Sequence, residues 1–160
     1  MKTTRVHKII SLFLWILFLC AMVTNVLLSQ YIQVQKSAND AIIAEKCFID
    51  GGCATVQTSL YATTFGIPNP IYGLVFFSIM SVFSLYIILQ FIAPKLRHQK
   101  TIEFIDYISK FGLVLGSLFS LWLLYAQFFL IKATCIYCLW VDGLTITMTI
   151  LYFILRKKIL

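Results

Sequence analysis

The residues of this chain best suited to chemistry are four cysteines in two close pairs, Cys47 with Cys53 and Cys135 with Cys138. Two neighbouring thiols can close to a disulfide and reopen, moving two electrons, and the thiolate is the nucleophile in that exchange. In Cys47-Phe-Ile-Asp-Gly-Gly-Cys53 the glycines Gly51 and Gly52 let the backbone turn sharply and give the thiols mobility. In Cys135-Ile-Tyr-Cys138 the i, i+3 spacing puts both sulfurs on one face of a helix, whose N-terminal amides favour a thiolate. Zinc and purely structural disulfides are the competing uses. A zinc site draws on four thiolates, usually from two Cys-x(2–4)-Cys knuckles, and the spacing of Cys47 and Cys53 breaks that pattern, so no metal is expected. Extracellular domains do carry structural staples, which leaves open a non-catalytic membrane interaction protein with a stapled outer loop.

The elements that position these cysteines are membrane spans. Apolar residues make up 61% of the chain and charged residues 12%. A spanning helix needs about 20 mostly apolar residues, and four stretches qualify: 9–31, 71–93, 111–131 and 136–155. Each is apolar all round rather than along one stripe, which a small soluble protein could not bury. The expected fold is an all-α integral membrane protein: one domain over residues 1–160, a four-helix transmembrane bundle in the lipid bilayer. The loop between the first two helices, residues 32–70, forms its extracytoplasmic cap. The first span is preceded by Lys2, Arg5 and Lys8 but is too long for a signal-peptide core and has no A-x-A cleavage site after it, so it reads as retained.

Charge sets the orientation. Lys2, Arg5, Lys8, Lys95, Arg97, Lys100, Lys110, Arg156, Lys157 and Lys158 all fall on one side, ten of the thirteen Lys and Arg, and that side reads as the cytoplasm. Both termini then point inward and all four paired cysteines face outward, where disulfides form and persist. The net charge of +7 is thus an orientation signal, and no nucleic-acid partner is expected from basic residues held in short juxtamembrane segments. Within the outer loop, residues 37–46 have the composition of an interfacial amphipathic helix. Residues 54–64 read as a short helix ended by Gly66, Pro68 and Pro70.

Below the second cysteine pair, Asp142, Thr145 and Thr149 continue the same helix face. An ionisable residue inside a span is costly and marks a functional position, so Asp142 is a candidate to exchange protons with a bound redox partner. The alternative is a shallow carboxylate that finds water or Lys132. Asn25, Gln90 and Gln127 also sit in spans, where helix–helix hydrogen bonding accounts for them. Cys20 lies mid-span, apart from the pairs, and reads as a small buried hydrophobe.

Taken in order, the four spans, a loop pair after the first and Cys-x-x-Cys opening the fourth, the chain resembles bacterial and archaeal homologues of vitamin K epoxide reductase over its whole length. Ser59, six residues after Cys53, and the run Gly66-Ile-Pro-Asn-Pro-Ile-Tyr-Gly73 support the resemblance. Many such homologues carry a fused thioredoxin-like domain after the fourth span; here the chain stops at Leu160, so that partner is expected to be a separate protein. The resemblance implies a thiol:quinone oxidoreductase of the cell inner membrane supporting disulfide bond formation. A periplasmic thioredoxin-fold protein would pass electrons to Cys47 and Cys53, these to Cys135 and Cys138, and the last pair to a membrane quinone, ubiquinone or menaquinone. The family places its deeper Cys-x-x-Cys residue, here Cys138, beside the quinone. Asn69 matches an asparagine that holds a quinone carbonyl in vertebrate members, and Ser59 and Asp142 complete the implied quinone site. Asp142 falls where those members have tyrosine, which makes plain quinone reduction the expectation rather than epoxide reduction. A better-known four-span thiol oxidase has its Cys-x-x-Cys in the first outer loop; the order here is the reverse.

Overall fold

The computed structural model describes residues 2–38, 52–92 and 99–159, so Cys47 lies outside the described residues, as does most of the expected amphipathic helix of residues 37–46. Four long helices dominate: α1 (Lys2–Ala38), α3 (Asn69–Ile92), α4 (Gln99–Tyr125) and α5 (Ile136–Ile159), with a short α2 (Gly52–Thr58) between the first two. The four long helices contain stretches long and apolar enough to cross a membrane, at Ser11–Gln30, Asn69–Gln90, Lys100–Ile131 and Ile136–Leu155. Exposed large apolar side chains outnumber those in the core. A water-soluble molecule would bury such an area, whereas a bilayer accepts it directly. The all-α membrane bundle expected from composition is the fold observed.

Two boundaries differ from expectation. The third helix begins about three turns earlier than its apolar core, because Gln99–Lys110 continues the helix at its charged end. The helix expected over 54–64 is shorter and starts earlier, at Gly52–Thr58; a 3-10 turn follows at Leu60–Ala62. After it comes a two-stranded hairpin, β1 (Thr63–Thr64) paired with β2 (Ile67–Pro68). Phe65 and Gly66 both have positive φ, 52° and 77°, the geometry that a two-residue hairpin turn demands. Gly66 supplies that conformation without a Cβ clash, and its neighbour is carried along.

The hairpin delivers the chain to α3. Asn69 opens that helix, with Pro70 in its first turn, where a missing N–H costs nothing. The Asn69 amide donates to the Tyr61 carbonyl at 2.7 Å and accepts from the Thr64 hydroxyl at 2.8 Å, while the Tyr72 hydroxyl donates to the Thr64 carbonyl at 2.9 Å. The cap is thus stitched to the helix it leads into.

Helix α1 packs along α3 and α5, and α4 along α5, whereas α3 and α4 scarcely touch. Around the bundle the order is therefore α3, α1, α5, α4, with a cleft between the first and last. The core between the helices is built on Trp15, Phe18, Met22, Phe77, Met80, Leu113, Met148 and Tyr152. Lipid gives apolar faces no reason to leave it, so helix association depends on close packing and buried polar contacts. Buried Ser11, Asn25, Ser29, Ser84, Ser109, Ser120 and Thr145 fit that requirement. Cys20 is exposed on α1, facing outward where the bilayer would lie rather than into the protein core.

Candidate redox site

Three of the four paired cysteines can be placed, and the fold brings them together. Cys53 in α2 and Cys135 at the start of α5 are buried with Val56 in a small cluster against which Ile131, Ala133, Tyr137 and Cys138 pack. The Cys135 thiol is in hydrogen-bonding contact with both Cys138 and Cys53. Cys135 is fully buried, whereas Cys138 is half-buried and lines a cavity. The sulfur of Cys135 is therefore a junction between the cap and the bundle.

This contact depends on a backbone approach. A Cβ placed on Gly52 would lie 2.5 Å from the carbonyl oxygen of Thr134, so any other residue there forces α2 away from the connector. The expectation that Gly52 supplies mobility is corrected: it is buried in the first turn of α2 and allows contact rather than motion.

The connector is held by the end of α4. Residues Ala126–Ile131 form a π-helical turn, and Lys132 then adopts a left-handed conformation at φ 56°. The Gln127 carbonyl accepts from the Lys132 N–H and, at 3.2 Å, from the Ala133 N–H. Its side-chain oxygen accepts from the Cys135 N–H at 3.2 Å. Cys135 in turn accepts the first helical bond of α5, from the Leu139 N–H at 3.0 Å, and so occupies the N-cap position. Contact with the Cys138 thiol, followed by burial, pushes the Cys135 thiol well above the ordinary thiol range, while contact with Cys53 works the other way. A thiolate at Cys135, expected from the helix N-terminus alone, is thus disfavoured in this arrangement.

Beneath Cys138 a cavity of about 420 Å³ opens toward the cleft between α3 and α4. Its walls include Phe76, Phe77, Leu115, Phe119, Leu123 and Val141. Gly112 and Gly116 on α4 make room for Phe76, since a Cβ on either would sit 3.3 Å or less from its ring. Few polar groups reach the space. Asp142 is buried on the wall, where it meets the Ser120 hydroxyl, and its Oδ2 has no hydrogen-bond partner. Thr145 lines the cavity one turn further on, while Thr149 turns to the Ser117 hydroxyl at 2.6 Å.

Of the residues expected from sequence, Cys138, Asn69 and Asp142 border the cavity, and Cys53 and Cys135 adjoin it. Ser59 does not line it: the Ser59 hydroxyl donates to the Val56 carbonyl at 2.7 Å and closes the end of α2. From sequence, Gln127 reads as helix–helix glue and Gly52 as a source of mobility, and the aromatic wall at Phe76 is not seen at all. Gln127 was visible as an amide eight residues before Cys135, but the π turn that aims it back at that cysteine has no sequence signature. Among the described residues no group of three or more metal-ligating side chains is present.

Four apolar spans around a cavity with a dithiol at its rim define an integral membrane protein with a thiol site. Residues 11–153 match the model of the Vitamin K epoxide reductase family, and the chain belongs to that family. In general terms it is a multi-pass membrane thiol–quinone oxidoreductase. Comparison with curated proteins gives no match.

Proposed function

We propose that the chain reoxidises a separate periplasmic thioredoxin-fold protein and passes the electrons to a membrane quinone, supporting disulfide formation outside the cytoplasm. The supporting observation is the position of Cys135, touching Cys53 of the cap on one side and Cys138 at the cavity rim on the other. A merely stapled loop has no use for a thiol at the mouth of an apolar chamber.

The dithiol of the partner attacks the Cys47–Cys53 disulfide, leaving the partner oxidised and the loop pair reduced. Cys53 then attacks a Cys135–Cys138 disulfide at the Cys135 sulfur, and closure of the loop pair frees both bundle thiols. That dithiol gives two electrons and two protons to the quinone, forming hydroquinone and restoring the disulfide. Burial of Cys135 beside Cys53 restricts the exchange to this neighbour, since a buried sulfur is closed to soluble thiols.

The chamber suits a ring that arrives from lipid, and the loose α3–α4 seam offers a way in for a long apolar tail. Asp142, with an unpartnered oxygen on the wall, is placed to exchange a proton with the reduced ring. Asn69 keeps one amide hydrogen after donating to Tyr61, enough for one quinone oxygen. The basic segments support a reading in which both termini lie in the cytoplasm and the cap on the periplasmic side of an inner-membrane protein.

The experiment is quinone reduction by the purified protein in lipid nanodiscs, driven by a reduced thioredoxin-fold protein and followed by the quinone absorbance. Wild type is expected to turn over and Cys138→Ala to fall to background. Full activity in that variant would remove the proposal.

A further inference from the structure

We infer that Gln127 serves both halves of the site: its amide oxygen fixes Cys135 at the head of α5, and its amide nitrogen donates a hydrogen bond to a carbonyl oxygen of the quinone. This rests on reading the cavity as the quinone site.

The Gln127 amide can face only one way. The Cys135 N–H is a donor and can be met only by an oxygen, so the 3.2 Å contact fixes Oε1 on the connector side. The Nε2, with two hydrogens, is then turned elsewhere. Gln127 is 3% exposed and lines the cavity together with Cys138 and Asp142. No hydrogen bond from Nε2 is formed among the described residues. A donor on the wall of an apolar cavity is completed by a ligand oxygen that enters it.

The other polar groups on the wall are spoken for differently. Asn69 spends its oxygen and one amide hydrogen on Thr64 and Tyr61 and keeps one hydrogen, enough for one quinone oxygen, while the Ser120 hydroxyl is given to Asp142. Asp142 offers an acceptor when ionised, which suits the O–H of a hydroquinone and not the bare oxygen of a quinone. A quinone has two carbonyl oxygens, and Gln127 supplies an amide donor for one of them beside Cys138. The π turn explains how one residue can do both: the widened turn swings position 127 back over the connector while it still borders the chamber.

Two substitutions separate the roles. Gln127→Glu keeps an oxygen for the Cys135 N–H and, when ionised, has no donor for the ring; Gln127→Leu loses both. Two readouts are taken: steady-state quinone KM, and the rate at which electrons pass from the loop pair to the bundle pair without quinone, by rapid alkylation after adding dithiol. Gln127→Glu is expected to keep the exchange rate within about twofold while raising quinone KM about tenfold near pH 8, the size of one lost hydrogen bond. Its KM should recover as the pH falls, because burial raises the carboxyl above the ordinary carboxylate range and the protonated group becomes a donor again. Gln127→Leu is expected to slow exchange as well. As a control, Gln90→Leu, which removes a partly buried amide away from the cavity, should leave quinone KM unchanged.

A wild-type quinone KM for Gln127→Leu, which has no donor at any pH, would overturn the donor role, and unaltered exchange in the same variant would overturn the positioning role. A wild-type protein that reduces no quinone would instead overturn the functional reading and the donor role with it, leaving the exchange rates to decide the positioning role.

Discussion

Two aspartates face the α4–α5 seam from opposite ends of the molecule, and they are treated differently. Asp106, on α4 near the basic end, has its carboxylate bound by the hydroxyl of Tyr152, which also donates to the Asp106 carbonyl at 2.8 Å. Asp142, on α5 near the cysteines, is 4% exposed and leaves Oδ2 without a partner on the cavity wall. In a low-dielectric interior a satisfied carboxylate holds helices together, whereas an orphaned one is tolerated only where something else completes it. The contrast separates the end of the bundle that is built to stay together from the end that is built to react.

Asp142→Asn should break the reactive end most severely. Loss of a positioned proton acceptor is expected to lower quinone turnover by about a hundredfold, in line with the usual weight of acid–base groups. Thermal stability should hold or rise, because a buried carboxylate with an empty lone pair is replaced by a neutral amide. Turnover and unfolding temperature, measured on one preparation, decide it: unchanged turnover would make Asp142 another Asp106.

Gly52→Ala comes next in size. The added methyl would overlap the Thr134 carbonyl, so α2 must lift from the connector and carry Cys53 with it. A displacement of about 1 Å at reacting atoms can cost about a hundredfold, and a tenfold or greater loss in exchange between the cap and bundle cysteines is expected. The four spans do not involve this contact, so the helical content by circular dichroism should remain.

Cysteine labelling sharpens the comparison inside the reactive end. In the reduced protein Cys138, half-buried, should be alkylated at least about tenfold faster than Cys135, which is buried and whose thiol is pushed up by Cys138 and by burial. Because only the thiolate reacts, Cys135 labelling should keep rising with pH above the range in which an ordinary thiol has levelled off. Unfolding in denaturant should erase the difference. Equal rates in the folded protein would mean that Cys135 is open to soluble thiols.

The legibility of the sequence divides along the same line. The spans announce themselves because lipid selects for composition over about 20 residues, a signal that needs no knowledge of contacts. The cysteine pairs are equally plain, since spacing alone brings Cys135 and Cys138 to one helix face. What stays hidden is set by single close approaches: Gly52 looked like a hinge and is a contact surface, and Gln127 looked like interhelical glue and caps Cys135. The short helix was expected to run through residue 64, yet the chain leaves it for a hairpin whose turn uses Phe65 in a left-handed conformation, a place where Asn or Gly would have been the warning. The cavity is less legible still, because its walls come from helices far apart in sequence.

Tyr152→Phe is the smallest expected effect and the counterpart of Asp142→Asn. It removes a hydroxyl that ties α5 to α4 at the basic end, leaving the ring to pack against Trp15 and Phe18 as before. Hydrogen bonds between membrane helices contribute about 0.6 kcal/mol on average, and one to a carboxylate belongs near the upper end, so a loss of about 1 kcal/mol is expected. Quinone turnover should be unchanged, because neither Tyr152 nor Asp106 borders the cavity. A variant that lost turnover while keeping its unfolding temperature would show that the two ends act as one unit, and that the satisfied aspartate also belongs to the chemistry.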